Sequence, residues 1–173
     1  MKIQPWRFNT YLVAGLLIFA TGCASSGKKG KDDVKEDASL RLHLEVNPDG
    51  TDNSGAVLIG RAAPFLVNVE KAPFLTEHRI ERASLVETPG SYSISVKFND
   101  QGSMILDQYT TPNKGKRIAV AAVFGEQGLL RWVAAPRITQ SITNGVFTFT
   151  PAATREEADR IVAGLNNFAE KNK

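Results

Sequence analysis

Apolar and polar residues alternate along several short stretches of the chain, and a period of two predicts strands. Leu40, Leu42, Leu44 and Val46 share one face, and Arg41, His43 and Glu45 share the other. That spacing predicts a half-buried strand over residues 40–46, with His43 on a solvated sheet face. Residues 47–55 (NPDGTDNSG) are dense in turn formers and read as a loop. Phe65, Val67 and Val69 alternate again in a second strand. Residues 76–83 are expected to begin a short helix, with His78 near its start and at the surface between Glu77 and Arg79.

The pattern sharpens further along. Pro89-Gly90 marks a turn, after which Tyr92, Ile94, Val96 and Phe98 alternate with Ser91, Ser93, Ser95 and Lys97. Residues 100–110 predict a helix with Ile105, Leu106 and Tyr109 on one face, and Pro112 stops it by disfavouring helix at the preceding residue. Residues 118–124 (IAVAAVF) form a continuous apolar run of strand length, which suits a central strand. A four-residue turn at 125–128 joins it to residues 129–135 as a hairpin, and 146–150 is a further short strand. Thr154 with Glu157 three residues on is a capping box. Ala158, Ile161, Val162, Leu165 and Phe168 follow at helical spacing, so the last helix lays one stripe on the sheet. Glu156 and Glu157 face the positive end of its dipole. The expected fold is α+β: a mixed, mainly antiparallel sheet with two main helices packed on it.

The first residues follow another rule. Residues 1–7 carry Lys2 and Arg7 and no acid, and residues 11–20 (YLVAGLLIFA) are an apolar run of ten. Ten residues rise only about 15 Å as a helix, half a bilayer's hydrocarbon core. This is the core of a signal peptide. Ala20-Thr21-Gly22-Cys23 follows, and small residues directly before a cysteine resemble the lipobox of bacterial lipoproteins. The resemblance implies a diacylglycerol on the Cys23 thiol and cleavage before it, with Ala20 standing where leucine is usual. Several acyl chains would hold the protein stably on the bilayer. Residues 24–39 (ASSGKKGKDDVKEDAS) balance four lysines against four acids and contain no aromatic residue, so they read as a solvated tether. The expected organisation is a signal peptide over 1–22, a tether over 23–39 and one domain over 40–173. Ala24 is not the Asp that retains lipoproteins at the inner membrane. The expected location is therefore extracytoplasmic and membrane-anchored, on the periplasmic face of the outer membrane if the source is Gram-negative.

Composition removes function classes. The net charge of +3 comes from 21 basic and 18 acidic residues; losing Lys2 and Arg7 leaves 19 against 18. That balance is no footprint for nucleic acid. One cysteine and two histidines, His43 and His78, make no closely spaced metal motif. No phosphate loop is visible, and adjacent Glu156 and Glu157 point about 100° apart on a helix, too far to act as a catalytic pair. No catalytic residue, metal or cofactor is expected, and the chain is not read as an enzyme.

The order of motifs resembles the head subdomain of the first extracytoplasmic domain of SecD-type protein-export subunits. Val96-Lys97-Phe98-Asn99-Asp100-Gln101-Gly102 matches the family's strand and helix start, and Asn113-Lys114-Gly115-Lys116-Arg117-Ile118-Ala119-Val120 its N-x-G-K-R-L-A-I-V strand. Val133-Ala134-Ala135-Pro136-Arg137-Ile138 matches V-x-S-A-P-x-I; Gly145, Thr154, Glu156, Glu157 and Ala158 match the closing loop and helix. The resemblance spans residues 40–167. The hairpin Val123-Phe124-Gly125-Glu126-Gln127-Gly128 departs from the family's Asp-Gly turn, and the sequence shows neither the family's six membrane-spanning segments nor its base subdomain. The resemblance implies contact with emerging polypeptide; with no spanning segment in the sequence, the family's proton coupling is not expected here. The expected function is a membrane-tethered module that binds unfolded polypeptide or an envelope protein and assists export. The alternative is a structural lipoprotein subunit of an envelope complex. Arg131 and Trp132 are the candidate partner contact, because Trp and Arg are enriched at hot spots. If instead Trp132 and Leu130 face the core, exposure of Trp132 distinguishes the two.

Overall fold

The computed structural model describes residues 36–48, 50–125 and 127–173. Cys23, the apolar run before it and most of the segment read as a tether lie outside the described residues. In chain order the elements are β1 (Ser39–Leu44), β2 (Ser54–Ile59), β3 (Phe65–Glu70), β4 (Leu75–Thr76), a 3-10 turn (Glu77–Arg79), β5 (Ile80–Thr88) and β6 (Ser91–Phe98). Then come α1 (Asp100–Thr110), β7 (Ile118–Phe124), β8 (Leu129–Ala134), β9 (Val146–Phe149) and α2 (Arg155–Lys171). The strands form a four-stranded sheet in the order β4-β1-β7-β8, a three-stranded sheet β5-β6-β9 and the two-stranded hairpin β2-β3. Each of these strand pairings is antiparallel.

The α+β class and both helices stand as expected, and the sheet is divided into three. The main core joins one face of the four-stranded sheet (Leu40, Leu42, Leu44, Ile118, Val120) to Ile94, Val96, Phe98, Phe147 and Phe149 of the three-stranded sheet, with Leu106 of α1 and Ile161 and Leu165 of α2. The other face of the four-stranded sheet is also covered. Ile59, Val67 and Val69 of the β2-β3 hairpin pack there on Ala119 and Ala135, with Val57 and Trp132 beside them. Two-face burial is why β7 reads as an unbroken apolar run rather than an alternation. Its alanines on the hairpin side leave room for that second layer.

This layer overturns the expectation for His43. Paired with Ala119 across β1 and β7, it faces the hairpin and is only 6% exposed. Three strands were not predicted: β2, the two-residue β4 and β5. β2 is short and follows a run of turn formers, and β5 lies where a helix was expected to start. There the chain makes one 3-10 turn at Glu77–Arg79 and enters a nine-residue strand. His78 is at the surface as expected, whereas Glu77 beside it is buried.

The helices show why their sequences begin where they do. Asn99 caps α1, its side chain accepting from the Gly102 N–H at 2.9 Å. Thr154 caps α2 with the full reciprocal box: its hydroxyl accepts from Glu157 N–H, and the Glu157 carboxylate accepts from Thr154 N–H at 2.8 Å. Asn166 of α2 bonds both the N–H and the C=O of Ala83 on β5. The folded domain also begins earlier than Leu40. Ala38 is buried, Asn167 donates to the Glu36 carbonyl at 3.0 Å, and Lys171 pairs with Asp37 at 2.8 Å. The charged composition of residues 36–39 concealed this, because their contacts are to the far end of the chain.

Candidate functional site

An apolar concavity lies between the hairpin and the edge strand β8. The β2-β3 loop carries Gly60 at φ 102, a conformation open to glycine, and so returns the chain to Phe65. Ile59, Gly60 and Phe65 form one wall, Val133 to Pro136 the floor, and Thr150 and Ala152 the far wall of a depression of about 330 Å³. A neighbouring depression of about 220 Å³ continues past Pro136 towards Ile138 and the edge of β9 at Val146 and Thr148. The outer face of the hairpin, turned away from the groove, carries the exposed cross-strand pair Leu58 (56% exposed) and Leu66 (69%).

Polar clasps hold the hairpin over the sheet. At its tip, Arg61 pairs with Glu157 Oε1 at 2.8 Å, and Arg131 meets the same oxygen at 2.7 Å. Burial alone would raise the Glu157 carboxyl; the Thr154 N–H and the Arg131 and Arg61 guanidinium groups outweigh it and hold the group below its ordinary value. At its base, His43 donates from Nδ1 to the Glu70 carbonyl at 2.8 Å. A carbonyl only accepts, so the neutral ring carries its proton on Nδ1. His43 lies edge-on to Trp132, ring centroids 4.9 Å apart. Burial pushes the imidazole below its ordinary pKa against the opposing pull of the Glu70 bond, and nearby Arg41 adds to the lowering. In the groove, Arg117 donates to the Ala135 carbonyl at 2.9 Å and stands 5.2 Å over the Phe65 ring.

The structure places Arg131 and Trp132 apart. Adjacent strand residues point to opposite faces. Trp132 is half-buried under the hairpin against His43, whereas Arg131 turns to Glu157 of α2 and the Phe124 ring. Leu130 is 49% exposed. Arg61, Ile59 and Phe65, which shape the groove, were not singled out as site residues. The run Val57-Leu58-Ile59 between two glycines was the available signal. Cys23 lies outside the described residues.

The described residues form an antiparallel α+β domain with an apolar groove, and none of their helices is long and apolar enough to cross a membrane. The model of the family described as "SecDF, P1 head subdomain" matches residues 56–168, and the chain belongs to that family. The fold is similar to that in "Structure and function of a membrane component SecDF that enhances protein export", at TM-score 0.52 and 22% identity over 76% of this chain and 63% of that one. It is also similar to "Crystal structure of SecDF in Super-membrane-facing form", at TM-score 0.54 and 22% identity over 76% of this chain and 19% of that one. This chain therefore spans less than two thirds of either. No curated protein sequence matches it.

Proposed function

We propose that this chain is a membrane-anchored extracytoplasmic lipoprotein whose head domain binds extended polypeptide and assists protein export. The observation that carries the reading is the apolar groove in a SecDF P1 head domain. A SecDF membrane component is described as enhancing protein export, and this chain shares its fold. Anchoring rests on the apolar run of residues 11–20 and on Ala20-Thr21-Gly22-Cys23. The work is done by binding energy, with no catalytic step. Ile59, Phe65 and Pro136 supply apolar contact, and the hairpin clasps keep the groove formed.

A titration of the full chain, in a non-ionic detergent, against a permanently unfolded secretory protein and against its folded form tests the reading. Binding of the unfolded form at micromolar concentrations, weakened by Phe65→Ser, is the expected result. No binding of either form, with one folded envelope protein recovered stoichiometrically by pull-down, would establish the structural-subunit alternative instead.

A further inference from the structure

We propose that a second pocket, at the C-terminal end of α2, binds an alkylammonium group, in chemical terms a lysine side chain. The pocket has a volume of about 200 Å³ and is lined by Glu77, His78, Glu81, Phe168, Asn172 and Lys173 among others. One buried water needs only about 10–15 Å³ by such a measure, so a single water does not fill it. The pocket lies at the opposite end of α2 from the Arg61–Glu157 clasp, roughly 25 Å away along a 17-residue helix. It does not depend on the polypeptide reading of the groove.

Four independent features of this pocket select a cation. The Glu77 side chain is only 9% exposed, and its Oε2 is buried without a hydrogen-bond partner among the described residues. A carboxylate oxygen withdrawn from water is costly until a donor reaches it. Its other oxygen has His78 Nδ1 at 3.9 Å, but that ring is turned outward, 66% exposed. Second, the C-terminal end of α2, the negative end of its dipole, adjoins the pocket at Phe168, Ala169 and Asn172. Third, Glu81 is the residue left unpaired by the bulge between Ile80 and Arg82, and a bulge re-aims side chains. Fourth, Phe168 contributes an aromatic wall, with the His78 ring edge-on to it at 5.2 Å. Ammonium groups are attracted to aromatic faces.

The same features choose among cations. No group of three or more His, Cys, Asp or Glu is placed to hold a metal ion among the described residues, so the pocket lacks the ligand set of a metal site. An arginine fork needs two carboxylate oxygens side by side, whereas Glu77 offers one. A compact ammonium on an apolar stem matches the Glu77 carboxylate and the Phe168 wall at the negative end of α2. Two sources can supply it: Lys173, which lines the pocket, or a lysine of another polypeptide.

Nuclear magnetic resonance on the isotope-labelled full chain in a maltoside detergent tests this, with Nα-acetyl-lysine-N-methylamide as probe and the norleucine analogue as its uncharged counterpart. The lysine probe should shift the His78 ring and the amides of residues 77–81 and 168–172 saturably, and norleucine should not. Glu77→Gln should weaken the effect about tenfold. If that variant does not fold, Glu81→Gln and Phe168→Leu should each weaken it several-fold. Lys173→Met separates the sources: tighter probe binding identifies Lys173 as the resident group, and unchanged binding identifies an external lysine. Equal shifts from both probes, or none in either the wild type or Lys173→Met, would overturn the proposal.

Discussion

His43 shows how one residue couples the hairpin to the sheet. Its neutral ring fits an environment that disfavours charge: Trp132 on one side, Ala119 across the sheet, the Glu70 carbonyl at Nδ1 and Arg41 on the same strand. The folded-state pKa lies below the ordinary 6.5, so near and below that pH the unfolded chain binds more protons than the folded one. The stabilisation is present above about 6.5 and is lost as pH falls towards the folded-state value, by at most about 1.4 kcal/mol per pH unit for one proton. Urea midpoints measured from pH 7.5 to 5 should therefore decline more steeply in the wild type than in His43→Phe. Parallel profiles would show that His43 keeps the same proton affinity in both states.

At the scale of an element, α2 is the strut that joins sheet, hairpin and residues 36–38. Leu165 is 1% exposed in the main core, and Leu165→Ala should cost about 2–5 kcal/mol. Thr154→Ala should cost about 1 kcal/mol through the lost cap. Gly164 decides between two opposed effects. Alanine gains about 1 kcal/mol of helix propensity over glycine. A β-carbon there would stand 2.6 Å from the Ala38 β-carbon and 2.7 Å from its backbone nitrogen, so strand and helix must part. Overpacking of that kind costs about 1–3 kcal/mol, and Gly164→Ala should be destabilising on balance. Chemical denaturation of the three variants checks the series. A stabilised Gly164→Ala would mean that residues 37–38 are not held against α2.

For the molecule as a whole, the anchoring proposal rests on Cys23. Metabolic labelling with a radioactive fatty acid should mark the wild type and leave Cys23→Ser unlabelled. Equal labelling of the two would remove the lipoprotein reading while leaving the head domain's fold intact. The head's three sheets are held by contacts between residues far apart in sequence, such as Arg61 with Glu157 and Asn166 with Ala83.

The residues whose environment is local were legible in the chain itself. The end of α1 was marked by Pro112, the α2 start by the Thr154–Glu157 box, and β6 and β7 by their patterning, because prolines, caps and periodicity act within a few residues. The order of motifs carried the resemblance to the family, and the match over residues 56–168 shows the family. What tertiary structure decided was which face of each strand is wet. His43 follows the alternation of β1 onto the polar side, yet a hairpin from residues 54–70 covers that side and buries it. Ala119 and Trp132 are drawn into the same second layer, while Arg131 next door turns to α2. The groove lies where that layer meets β8, and Glu77 is buried beside the end of α2. Such burial depends on loop paths and long-range docking, which no period in the sequence encodes.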